Sequence, residues 1–232
     1  MRRGMSLRIR LQNGCNTVPW RCEIANIGPK RPAPRHGSDE NGGVQRLPET
    51  MPAPRLVVRR WEPDDAPLLV TAIAENIEHL RPWMPWIAAE PQSVSQRGAL
   101  ITQWNTEWTR GGDVVVGAFL DGSVVGSAGL HRRRGPRVLE VGYWVHVDHI
   151  RKGYASEMAE ALTTAAFTVP DIDRVEIHHD KANIASGGIP RRLGFTVADE
   201  APNVALSPGD IGIDCRWIVD RQQWLERTSA AT

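Results

Sequence analysis

The chain is short of cysteine, of net charge and of long apolar runs. Its 232 residues hold three cysteines, Cys15, Cys22 and Cys215. They form no metal-type spacing and their number is odd, which argues against a disulfide framework and makes a reducing cytoplasm the expected compartment. A formal charge of +1 gives no global reason to expect nucleic acid or a membrane surface as partner. No apolar run approaches a membrane span. The opening MRRGMSLRIRLQNGCN has cations without the continuous apolar stretch of a signal peptide. Neither a GxxxxGK(S/T) run nor a GxGxxG run is present, so a P-loop is excluded and a dinucleotide-binding fold has no support.

What charge there is lies unevenly. Residues 1–50 carry nine Lys/Arg and four Asp/Glu, a net of +5, while the rest carry 19 and 23, a net of −4. The same fifty residues include GPKRPAPRHGSDENGG, rich in Pro and Gly and without a period. Residues 1–50 are therefore expected to be a disordered basic extension, and 51–232 the folded domain. Such a tail either makes weak contacts with RNA or ribosomes or is a solvated extension. Met51 opens the first patterned segment and is a candidate native start.

From Arg55 onward the pattern sharpens. RLVVRRW reads as a strand, and DAPLLVTAIAENIEHL as one helix behind a Pro63-Asp64-Asp65 turn. RPWMPW is an extended loop, because its two prolines resist helix. SVSQRGALITQWNTEWTR gives a second helix, ended by Gly111-Gly112, and its Trp104 and Trp108 read as core packing. DVVVGAFLDGSVVGSAGLHR is a hairpin turning at Asp121-Gly122, and RVLEVGYWVHV is a third long strand. A helix from Tyr154 to about Thr168 follows, then strand RVEIHHD, a short helix in NIASGGIPRRLGF, and a strand running into a last helix. Hairpins with one strand–helix–strand crossover imply an α/β (α+β) fold with a mixed, mostly antiparallel central sheet and helices on both faces.

One stretch carries the chemistry. In RVLEVGYWVHV, Leu139, Val141, Tyr143, Val145 and Val147 share the core face, while Glu140, Gly142 and Trp144 share the other, a pattern suited to a cleft wall. The strand runs straight into HIRKGYASEM. There Arg151 and Lys152 precede Gly153, and a helix starts at once with the small Ala155 in its first turn. Helix N-termini expose unpaired N–H groups and a partial positive charge, so this turn is a candidate phosphate cradle. By residue types alone, a capped turn with two solvated cations explains it equally well. Adjacent strand residues point to opposite faces, so His178 and His179 cannot easily share an ion, and no metal site is expected.

The chain resembles the GCN5-related N-acetyltransferases (GNAT), and within them the RimJ/RimL-like branch. Ile150-Arg151-Lys152-Gly153-Tyr154-Ala155 is similar to the family's Q/R-x-x-G-x-G/A element, with Ile where Gln or Arg is usual. Asn183-Ile184-Ala185-Ser186 followed by Leu193-Gly194-Phe195 is similar to its N-x-x-S and L-G-F elements. His79-Leu80-Arg81-Pro82-Trp83-Met84-Pro85-Trp86 is similar to the branch's Pro/Trp loop. The likeness covers roughly residues 55–227.

The resemblance implies acetyl-CoA as co-substrate, its pyrophosphate held at Ile150, Arg151, Lys152, Gly153, Tyr154 and Ala155. Backbone groups of Val145 and Val147 would bind the pantetheine and polarise the thioester carbonyl. Asn183 and Ser186 would complete the donor site, with Ser186 either protonating the leaving thiolate or only supporting the Asn183 cap. Glu140 is the candidate general base, or else it ion-pairs with one of Arg132–Arg134. Trp83, Trp86 and Trp144 would line the acceptor entrance. The acceptor implied is a primary amine, foremost a protein or peptide N-terminus. A small amine, an aminoglycoside-type acceptor and a non-catalytic acyl-CoA sensor are the alternatives. Monomer and homodimer both stand.

Overall fold

Residues 47–229 of the 232 are described by the structure, a computed structural model. Among the described residues there are eight strands: β1 (Thr50–Met51), β2 (Val57–Arg60), β3 (Val114–Leu120), β4 (Ser123–His131), β5 (Val138–Val145), β6 (Arg174–Asp180), β7 (Thr196–Pro202) and β8 (Ile213–Asp220). Six helices lie between and after them: α1 (Ala66–Ala74), α2 (Ile77–Leu80), α3 (Val94–Thr109), α4 (Tyr154–Ala166), α5 (Ile184–Arg192) and α6 (Arg221–Ser229). The strands form one sheet in the order β1-β2-β3-β4-β5-β6-β8-β7. Every neighbouring pair is antiparallel except β5–β6, the product of the single crossover through α4.

Local chemistry explains most boundaries. Ser93 caps α3, its hydroxyl accepting from the Gln96 N–H while Gln96 reaches back to the Ser93 N–H. Asp121 (φ 49) and Gly122 (φ 80) both sit in the left-handed region that a two-residue hairpin demands.

The single helix expected over 65–80 is two. Asn76, fully buried, donates its amide to the Ala72 carbonyl at 2.7 Å and accepts the Val147 N–H at 2.6 Å. The side chain thus competes with helix continuation and ties the break to the end of β5.

β7, also unforeseen, is a sheet edge whose seven residues are all exposed, so TVADEAP shows no apolar alternation.

The main apolar cluster lies under α4, α5 and α6. Leu139, Val141, Val175 and Ile177 of the sheet meet Met158, Leu162, Leu193 and Trp224 there. Tyr143 and Val145 pack against it or within reach of it, as the core-face reading of β5 expects. α1 and α3 pack on one another and reach β4 and β3 respectively. The expected boundary at residue 51 moves toward the N-terminus. Leu47 is buried in the main cluster and its carbonyl accepts from the Trp108 indole, while the Glu49 carbonyl accepts the Arg60 N–H. The expectation of disorder for the extension falls on residues 1–46, outside the described residues.

Candidate active site

β5 and β6 pair only from Val138↔Arg174 to Val141↔Ile177. Beyond that point β6 stays with β8 as far as Asp180↔Asp214, and β5 stays with β4 as far as Val145↔Gly126. The two parallel strands therefore part at their C-terminal ends, the place where open α/β sheets take ligands. A bond from the His146 N–H to the Val125 carbonyl sets the phase of the β4–β5 ladder. Even-numbered residues of β5 spend their backbone groups on β4, so those of Tyr143 and Val145 point into the gap.

Val147 lies beyond the end of β5. Its N–H is already committed to Asn76, and at the end of the strand its side chain is exposed.

At the mouth of the gap the chain makes a short helical turn over Val147–His149 and then the expected basic turn. Ile150 is extended (φ −64, ψ 158) with its side chain exposed, so this departure from the usual Gln or Arg leaves the backbone path intact. Arg151 sits at φ 61, rare for a residue with a side chain, and Gly153 at φ 87. Lys152 Nζ folds back onto the Asp148 carbonyl at 2.8 Å. Gly153 is the N-cap of α4 and brings no capping side chain. Among the described residues no hydrogen bond engages the N–H groups of Gly153, Tyr154 or Ala155. Three adjacent amides at a positive helix end, flanked by two cations, make a candidate anion cradle. The Tyr154 ring is buried in the core, so only its backbone belongs to the cradle.

Across the gap, Asn183 caps α5 by accepting the Ser186 N–H at 3.1 Å. Ser186 is half-buried, and the Tyr143 hydroxyl lies 3.1 Å from its carbonyl and 3.3 Å from its Oγ. Burial pushes the Tyr143 phenol well above its ordinary range, so it stays protonated. The apolar period of β5 marks Tyr143 only as a core residue. Its place two residues before Val145, where β5 loses β6, was the available signal.

The opposite face of β5 is ionic. Glu140, 4% exposed, receives Arg133 Nε at 3.0 Å, Arg134 Nε at 2.6 Å and a further Arg133 contact through Nη2. Burial alone would raise its pKa, but Arg133, Arg134 and nearby His178 together hold it at about 2. The ion-pair alternative is the one realised, with two arginines rather than one. Beside it, buried Glu176 meets Arg174, Arg216 and His178, while His178 Nδ1 meets Asp214 at 2.7 Å. Despite burial, Asp214, Glu140 and Glu176 raise the pKa of His178. His179 points to the other face and accepts from the Trp217 indole at 3.0 Å. The two histidines serve different faces.

Trp83 and Trp86 are half-buried in the Pro/Trp loop. The β7–β8 loop docks there: the Gly209 N–H donates to the Pro82 carbonyl at 2.9 Å, and a Cβ on Gly209 would lie 2.6 Å from that oxygen. Trp144, 4% exposed, is buried rather than open at a rim.

Comparison with known proteins agrees with this geometry. The acetyltransferase (GNAT) domain family matches residues 55–196. The putative ribosomal N-acetyltransferase YdaF of Bacillus subtilis is 30% identical over 142 residues, 60% of this chain and 77% of that protein. Among solved structures, a RimL ribosomal L7/L12 α-N-protein acetyltransferase in complex with coenzyme A superposes with a TM-score of 0.68 at 20% identity, over 74% of this chain and 98% of that one. Mycobacterium smegmatis RimJ, in complex with CoA-disulfide, gives 0.68 at 19%, over 78% and 92%. The chain belongs to the GNAT family of acetyl-CoA-dependent N-acetyltransferases.

Proposed function

We propose that this protein transfers the acetyl group of acetyl-CoA to the α-amine at the N-terminus of a protein or peptide. The observation that carries the proposal is the parting of β5 and β6 beside the free amides of Gly153, Tyr154 and Ala155. An extended thioester donor fits such a gap. Its pyrophosphate would take the cradle, with Arg151 and Lys152 adding charge, and its pantetheine would meet the backbone groups of Val145 and Tyr143. The amine nitrogen attacks the thioester carbonyl carbon; a C–N bond forms, the C–S bond breaks, and the thiolate leaves. Ser186, backed by the protonated Tyr143 hydroxyl, hydrogen-bonds the departing sulfur and passes it a proton, which water replaces on Ser186 so that neither hydroxyl is left as an anion. Holding both reactants in one cleft supplies much of the rate.

The amine's proton does not go to Glu140. A carboxylate at about 2 lies roughly six units below an α-ammonium near 8, a barrier of about 8 kcal/mol before any chemistry. An α-amine needs little help, since about a tenth is neutral at pH 7, whereas a lysine near 10.4 is almost wholly charged. The ammonium loses its proton to water before attack, and the proton released after attack follows it.

The same face selects against polycations. Glu140 and Glu176 are already paired with Arg133, Arg134, Arg174 and Arg216, so little free negative charge remains for a polyamine or aminoglycoside. The names of the relatives, one a putative ribosomal N-acetyltransferase and one an α-N-protein acetyltransferase, support the peptide reading. The Pro/Trp loop with Trp83 and Trp86, together with the β7–β8 loop, forms the acceptor entrance. No helix among the described residues is long and apolar enough to cross a membrane, and an intracellular protein N-terminus implies the cytoplasm as the working compartment.

Release of free thiol from acetyl-CoA, followed with a panel of N-terminal peptides, polyamines and aminoglycosides, tests the proposal. Release with peptides alone is expected. Release only with polyamines or aminoglycosides overturns the acceptor, and binding of acetyl-CoA without release to any amine indicates a sensor.

A further inference from the structure

We infer that Arg55, about a hundred residues before the cradle, is a positioning residue that sets the direction of the cradle's first amide, that of Gly153. The inference rests on the reading of residues 150–155 as the pyrophosphate site. Arg55 lies just ahead of β2 and reaches across to the start of α4. Its backbone N–H donates to Glu157 Oε2 at 3.2 Å, and its guanidinium pairs with Glu157 Oε1. Its Nη2 also donates to the Lys152 carbonyl at 2.7 Å. The guanidinium stacks over the Tyr154 ring, 4.5 Å from its centroid. Glu157 itself is buried in the first turn of α4.

The consequence follows from the planarity of the peptide bond. The Lys152 carbonyl and the Gly153 N–H belong to one trans peptide and point in opposite directions. Holding the oxygen on Arg55 therefore aims the Gly153 N–H away from Arg55, toward the side where the cradle opens. Such a support is needed here. Arg151 at φ 61 and Gly153 at φ 87 flank a peptide that could otherwise rotate, and strained backbone persists only where its surroundings hold it. Gly153 is constrained twice, since a Cβ there would lie 3.2 Å from Arg55 Nη2. Lysine could keep the ion pair with Glu157 but lacks the planar fork that serves Glu157 and the Lys152 carbonyl together.

The test compares two donors in calorimetric titrations and steady-state kinetics: acetyl-CoA, and S-acetylpantetheine, which lacks the pyrophosphate. Arg55→Gln is expected to weaken acetyl-CoA binding about tenfold and S-acetylpantetheine binding less than twofold. KM for acetyl-CoA should rise in step while kcat changes much less. Arg55→Lys should recover only part of the loss. Glu157→Gln, which leaves the bond to the Lys152 carbonyl possible, should weaken acetyl-CoA less than Arg55→Gln does. Unchanged acetyl-CoA affinity in Arg55→Gln overturns the inference, and so does an equal loss for both donors, which marks a general structural role. Wild-type protein that binds acetyl-CoA no more tightly than S-acetylpantetheine instead overturns the cradle reading itself, and the inference with it.

Discussion

At Glu140 and Val141, β5 is paired on both sides; from Gly142 to Val145 it is paired only on the β4 side. The two halves share a backbone and a register but offer different chemistry. In the closed half a carboxylate, Glu140, is buried, matched by two arginines and held at about 2. In the open half backbone groups lack a ladder partner, and a protonated phenol stands beside a serine hydroxyl. A residue on the paired half can be tuned only by side chains laid over it. A residue on the unpaired half can meet a ligand. On the proposed mechanism, reactivity follows where the ladder ends, more than which side chain is most ionisable.

Loading the cradle with negative charge should break the open half most severely. Ala155→Glu places a carboxylate where the pyrophosphate would bind, and like charges brought together cost several kcal/mol. Acetyl-CoA affinity should fall about 10³-fold by calorimetry, well beyond what any fall in melting temperature from the partly buried Ala155 site explains.

The closed half should show itself in stability. Glu140 has a lower pKa folded than unfolded, so its ion pairs stabilise the fold above about pH 4.5. That stabilisation is lost as pH falls toward 2. At 1.36 kcal/mol per unit the loss is at most about 3 kcal/mol, since Arg133 and Arg134 remain part-solvated. Urea melts across that window should show the slope, and Glu140→Gln should flatten it.

Next in size is the proton supply. Ser186→Ala and Tyr143→Phe are each expected to lower kcat about 10- to 100-fold with KM for acetyl-CoA within about threefold. If the two hydroxyls act as a unit, the double variant should lose little more than the worse single one. Full additivity would show that they act separately.

The smallest effect sharpens the comparison most. Glu140→Gln should lower kcat/KM less than about tenfold and leave the pH–rate profile following the amine alone. Removal of a general base would cost about 10²–10⁴-fold.

Much of the sheet was legible because the long strands are rich in β-branched and apolar residues and Asp121-Gly122 admits one kind of turn. β7 was not, for it buries nothing and has no alternation to show. The break at Asn76 was hidden because its cause, the Val147 amide, lies 71 residues away. The cradle was legible as a local run of residue types. Arg55 was not, since nothing near it in sequence marks its bond to Lys152. Glu140 lies on the face of β5 opposite Leu139 and Val141, as the alternation implied, but its ionisation is decided by Arg133 and Arg134, whose reach depends on the path of the β4–β5 loop. Tyr143 followed the apolar period and so read as core, although its hydroxyl reaches past the core to Ser186.

The most direct measurement gives the protein acetyl-CoA and a peptide carrying both a free α-amine and a lysine, then locates the acetyl group by fragment-ion mass spectrometry. Acetyl on the α-nitrogen at near-neutral pH, with free thiol released in equal amount, is the expected result. Acetyl on the lysine side chain, or thiol release without a modified peptide, would contradict it.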